Sequence, residues 1–123
     1  MATIKAYTDL EQSKKLAEIL PLESSDGYWD FQIDGYNLIA DNLGYYKNDS
    51  EIPCWSLAAL LNMIPKHIKD YNVLRIDISN NDFAIWYDEI GCGVNDELPD
   101  ITADNPVDAC VVMIEKLNEL KML

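Results

Sequence analysis

The chain holds one histidine, His67, three cysteines, Cys54, Cys92 and Cys110, and 22 aspartates and glutamates. These are the first residues to weigh for metal binding and for catalysis. Nucleophilic catalysis needs a serine or cysteine beside a base, and His67 is the sole imidazole. Cys54 and His67 flank one apolar segment from opposite ends, which lie about 15 Å apart if that segment is a straight helix. They do not make a catalytic pair. A transition-metal site of ordinary spacing would require a second histidine or a cysteine pair near the first, and neither exists. Asp77, Asn80, Asn81 and Asp82 cluster in one turn, and Asp96, Glu97 and Asp100 in another. Neither set has the glycine or closing glutamate of a calcium loop, and both read as turn chemistry. Gly91-Cys92-Gly93 is a lone Gly-x-Gly without the third glycine or the Lys-Ser/Thr that a phosphate cradle uses. Carboxylate pairs are too frequent in so acidic a chain to point anywhere.

The aromatic residues carry more information. Trp29, Trp55 and Trp86, with Tyr28, Tyr36, Tyr45, Tyr46, Tyr71 and Tyr87, are many large rings for 123 residues. Most are expected in the core. Where strands alternate, however, Trp29 and Phe31 face away from Tyr28, and Trp86 faces away from Phe83 and Tyr87. A sheet covered on one side only would leave some rings exposed, where tryptophan and tyrosine serve as anchors for partners. The candidate binding residues are Tyr45, Tyr46, Trp55, Trp86 and the neighbouring Asp88. No catalytic or metal-ligating residue is assigned, and no cofactor is implied.

The elements that must position these rings follow from periodicity. Thr8 and Glu11 have capping-box spacing ahead of an apolar stripe through Leu10, Leu16, Ala17, Ile19 and Leu20, which predicts a helix over 9–20 stopped by Pro21. Trp29, Phe31 and Ile33 alternate with Asp30 and Gln32, and Asp34-Gly35 signals a tight hairpin into 36–40. The polar stretch 41–52 reads as a surface loop. Leu57 to Ile64, opened by Pro53-Cys54-Trp55-Ser56 and limited by Pro65, predicts a short helix buried on most sides. A second hairpin joins Leu74, Ile76 and Ile78 to Phe83, Ile85 and Tyr87 across Asn80-Asn81, and a long irregular connection follows. The last helix is capped by Asn105 with Pro106 at its first position, and its apolar face is Val107, Cys110, Val111, Ile114 and Leu117. Tight turns between paired strands exclude a parallel sheet. The expected fold is α+β: an antiparallel sheet of about four strands in two hairpins, with three helices mainly on one face, in the order α-ββ-α-ββ-α.

Length and charge bound the rest. A chain of 123 residues is the size of a single domain and buries roughly two thirds of its unfolded surface. The start lacks an apolar export segment, the longest apolar run, Leu57 to Leu61, falls far short of a membrane span, and three scattered cysteines suit a reducing compartment. A cytoplasmic protein away from membranes is expected. Nine Lys and Arg against 22 acids give a net charge of −13, and no Lys or Arg occurs from Ile76 through Glu115 or from Leu16 through Tyr46. Such a surface repels phosphate backbones, so direct nucleic-acid binding is not expected. It keeps a protein dispersed, and it attracts basic partners.

Three segments, Glu11 to Ser24, Pro53 to Leu61, and Ala103 to Cys110 with Met113 to Leu117, together resemble a family of small uncharacterised proteins from gut bacteria, their phages and mobile elements. The resemblance implies no activity and brings no functional residues. It implies a phage or mobile-element setting, in which small acidic proteins act by binding other proteins. The leading expectation is a non-enzymatic interaction protein that meets an unknown, basic partner through an acidic, aromatic-bearing sheet face or the loop 42–52, with a second copy of the chain as another candidate partner. Two alternatives are a small enzyme or sensor with a carboxylate and aromatic pocket, and an inhibitor that mimics the charge of a nucleic acid.

Overall fold

A computed structural model describes residues 5–32, 35–39, 51–69, 71–79, 81–94 and 97–123. The class is α+β, the described residues forming three α-helices and antiparallel strands in two sheets. In order, the elements are α1 (Leu10–Ala17), a short 3-10 turn (Leu22–Ser24), β1 (Gly27–Gln32), β2 (Gly35–Ile39), β3 (Glu51–Cys54), α2 (Leu57–Met63), β4 (His67–Ile68), β5 (Asn72–Ile78), β6 (Phe83–Glu89), β7 (Gly93–Val94), β8 (Asp100–Ala103) and α3 (Pro106–Glu119).

The two hairpins occupy separate sheets. The first sheet runs β2-β1-β3, and Glu51 and Ile52, expected in a loop, pair with Asp30 and Trp29 of β1. Pro53 also sits in β3, where its missing N–H is tolerated because β3 is an edge strand. Gly35, expected in the turn of the first hairpin, instead opens β2 opposite Gln32, with φ of 121°. The second sheet runs β4-β5-β6, with β7 and β8 both on the far edge of β6. Asp88 pairs with Val94 and Trp86 with Asp100, so two steps along β6 are matched by six along the returning chain. The connection read as irregular from Gly91 to Pro99 therefore contains β7, paired with β6 ahead of β8.

Each helix begins on a side-chain cap. For α1 it is Asp9, not Thr8: its carboxylate accepts from the Gln12 N–H at 2.8 Å, while Gln12 Oε1 accepts from the Asp9 N–H at 3.1 Å. Thr8 is fully buried. Its N–H donates to the Trp55 carbonyl at 3.0 Å, its Oγ1 accepts from the Trp55 N–H at 3.1 Å, and its hydroxyl lies 2.7 Å from that of Ser13. That net of bonds ties Thr8 to Trp55 beside the bridge of Tyr7 with Ser56, and the helix starts one residue on. Ser56 caps α2, and its own N–H and hydroxyl donate to the Asp26 carboxylate. Asn105 caps α3 through the Asp108 N–H at 2.9 Å, with Pro106 at the first turn.

Alternation along β6 decides where the core lies. Phe83, Ile85 and Tyr87 are buried against α3, whose Val107, Cys110, Val111, Ile114 and Leu117 are all buried, with Ala109 and Met113 beside them. Leu60 and Ile64 of the α2 region and Leu16 and Leu20 of the α1 region close the same core. Tyr87 is polar at its tip, and that tip is satisfied: its hydroxyl donates to the Pro65 carbonyl at 2.6 Å. Among the described residues no helix is long and apolar enough to cross a membrane.

Candidate functional site

The residues of β6 that alternate with the core set, Ala84, Trp86 and Asp88, stand on the opposite face of the second sheet. Across the ladders, Trp86 lies between Arg75 of β5 and Asp100 of β8, and Ala84 lies between Asp77 and Thr102. Arg75, Asp77, Asp100 and Thr102 are exposed, while Trp86 and Asp88 are half-buried. Among the described residues no helix roofs this face. A tryptophan thus stands in the middle of a polar surface that carries three carboxylates, Asp77, Asp88 and Asp100, and one guanidinium. Arg75 Nε donates to Asp88 at 3.4 Å, a long and solvent-exposed pair that holds the two side chains on the face without neutralising it.

Trp55 does not belong to any such surface. It is fully buried, its indole N–H donates to the Ser24 hydroxyl at 2.9 Å, and its backbone is bonded both ways to Thr8. Burying the ring and satisfying its one polar atom makes Trp55 a core residue, and its assignment as a binding residue is corrected. Trp29 is half-buried, and its indole N–H donates to the Thr8 carbonyl at 3.0 Å, so two tryptophans fix one short segment before α1. Tyr45 and Tyr46, with most of the loop 42–52, lie outside the described residues.

Groups that could do covalent chemistry are dispersed. Cys54 and Cys110 are buried, and loss of hydration pushes each thiol up to about 12, away from the reactive thiolate. Cys92 is exposed in the turn between β6 and β7, and His67 is exposed in β4. Among the described residues no three His, Cys, Asp or Glu side chains converge to hold a metal ion. One open hollow of about 300 Å³ is lined by Leu98, Pro99, Ile101 and Leu120 together with Lys116 and the carboxylates of Glu97, Asp100 and Glu119. Another, of about 330 Å³, lies over Asp9, Leu10, Glu11 and Trp29. Neither is lined by Trp55 or Trp86, beside which the alternative reading, a small enzyme or sensor, would set a carboxylate pocket.

The sequence reading missed the uncovered edge of the second sheet. Ile76 and Ile78 share a face with Ile85 and Phe83, yet they are 42% and 75% exposed. Their regular alternation reads as core, and only the placement of α3 over β6 and β8, away from β5, leaves them in water. Alternation alone carries no signal for that offset.

No family model, curated protein or solved structure matches the chain.

Proposed function

We propose that the chain is a non-enzymatic interaction module, of the kind carried by phages and mobile elements, that acts inside the cell by binding a basic surface of another protein. The observation that carries this reading is Trp86, half-exposed among Asp77, Asp88 and Asp100 on a sheet face that no described helix covers. An aromatic ring beside carboxylates offers both an apolar anchor and counter-charges for lysine and arginine, and arginine also stacks on an indole face. The net charge of −13 steers a basic partner toward this surface and slows an acidic one. Dispersed thiols and a lone imidazole favour binding over catalysis.

The test compares immobilised wild-type chain with Trp86→Ser and Asp88→Lys variants in a bacterial lysate across a salt gradient. The wild type is expected to retain one or a few basic proteins at low ionic strength, release them as salt rises, and lose them in either variant. If the variants retain the same proteins as the wild type, or if the wild type retains none, the reading fails.

A further inference from the structure

We propose that the outer edge of β5 at Ile76–Ile78 is a strand-addition site for an extended peptide segment in which a lysine or arginine stands between two apolar residues. The directions of the backbone groups make the edge available. Tyr71 accepts from the Ile90 N–H at 2.9 Å, toward β6, whereas the Leu74 N–H donates to the Lys66 carbonyl at 2.9 Å, on the other side. Peptide groups alternate along an antiparallel strand, so those of residues 73, 75 and 77 point to β6 and those of 74, 76 and 78 point outward. Lys66 occupies the position beside Leu74. Beyond it no described strand pairs with β5, and the N–H and C=O groups of Ile76 and Ile78 face off the sheet.

Side chains define what fits there. Ile76 and Ile78 offer two exposed apolar contacts on the α3 side, 42% and 75% accessible. Asp77 projects from the other side, onto the face that bears Trp86, and among the described residues it makes no ion pair, whereas Arg75 is engaged by Asp88. A strand laid antiparallel along this edge therefore sets apolar residues opposite Ile76 and Ile78 and a basic residue opposite Asp77. A second copy of the chain fits poorly. The two-fold register that uses both outward pairs puts Ile76 beside Ile78 but sets Asp77 against Asp77, between molecules that each carry −13. The occupant is thus a segment of a different, basic protein, and the added strand widens the Trp86 face rather than competing with it. This inference rests on the acidic-face reading above.

The probe is a capped peptide, Thr-Val-Lys-Val-Thr, titrated into the full isotope-labelled chain by NMR, beside a version with glutamate for lysine and one N-methylated at both valines. The expected result is weak saturable binding that shifts the amides of Ile76 and Ile78. Binding should weaken about tenfold or more with glutamate and vanish on N-methylation, because the valine amides are those that meet β5. Asp77→Lys should reverse the preference between the lysine and glutamate peptides, a readout that general loss of structure cannot produce. Equal binding of the N-methylated peptide, or shifts confined to Trp86 and Asp88, would overturn the edge site while leaving the acidic face standing. Absence of binding by all three peptides also overturns it, as does a wild-type dimer in sedimentation that Ile78→Lys splits, which would assign the edge to self-pairing. Either result leaves the lysate experiment to decide the broader reading on its own.

Discussion

Asp108 gathers more of the molecule than any other single carboxylate described. Its oxygens accept from Lys5 Nζ at 2.8 Å, Gln12 Nε2 at 2.8 Å and Asn105 Nδ2 at 2.7 Å, joining the segment before α1, α1 itself and the cap of α3. Burial alone would raise its pKa. The hydrogen bonds from Lys5, Gln12 and Asn105 and the charge of Lys5 outweigh that, so the carboxyl sits below its ordinary 3.8. For Lys5, burial would lower the pKa, and the bonds to Asp108 and Asp9 outweigh it, so the amine sits above 10.5. A depressed carboxyl stabilises fully above its unfolded value and loses that contribution as pH falls through the lower folded value. A raised amine contributes fully below 10.5 and loses it as pH climbs past the folded value. The tie is therefore whole across the neutral range. Asp108→Asn is expected to cost about 1 kcal/mol at pH 7, discounted for its partial exposure. Thermal melts should show the gap between wild type and variant closing toward pH 3; a constant gap would mean that the carboxylate's charge contributes nothing.

At the scale of elements, the first sheet depends on one close approach. A Cβ on Gly27 would lie 3.0 Å from Cys54 Sγ, 3.0 Å from the Ile39 carbonyl and 3.1 Å from Tyr7 Cε1. The carbonyl belongs to the backbone of β2 and cannot turn aside as a flexible side chain can. Gly27→Ala should therefore destabilise by roughly 1–3 kcal/mol as β1 and β2 are pushed apart, read as a lower urea midpoint at unchanged slope; an unchanged midpoint would show that the sheet absorbs the methyl freely.

The two sheets show which features could be read in advance. The Asn105-Pro106 start of α3 and the alternation of Phe83, Ile85 and Tyr87 are local signals, and both elements form where those signals place them. The strand Glu51–Cys54 has a proline in its middle and no alternation, and it exists because β1 offers it an edge. The strand Asp100–Ala103 likewise follows a polar connection and is fixed by β6. Of the candidate site, Trp86 and Asp88 fall on the uncovered face that alternation predicts. Trp55 was misplaced because its burial depends on Thr8 and Ser24, 47 and 31 residues away in sequence, contacts that no local pattern announces.

Charge acts on the molecule as a whole. The four described ion pairs involve long or exposed geometries apart from Lys5 with Asp108, and surface pairs of that kind contribute little. Against them stands the mutual repulsion of 22 acids, offset by only 9 bases, which the unfolded chain relieves by spreading. Screening should therefore stabilise the fold. Between ~10 mM and ~150 mM sodium chloride the Debye length shrinks from about 30 Å to about 8 Å, shorter than the separation of most of these charges. The thermal midpoint is expected to rise over that interval, most steeply at its low end, and then level off. The proposed capture of a basic partner runs the other way, because the same ions screen the attraction. Stability and binding measured on one salt series should thus have slopes of opposite sign. A midpoint that falls with salt would mean that the pairs around Asp108 outweigh the repulsion, and a partner retained equally at both ends would mean that apolar contact at Trp86, rather than charge, holds it.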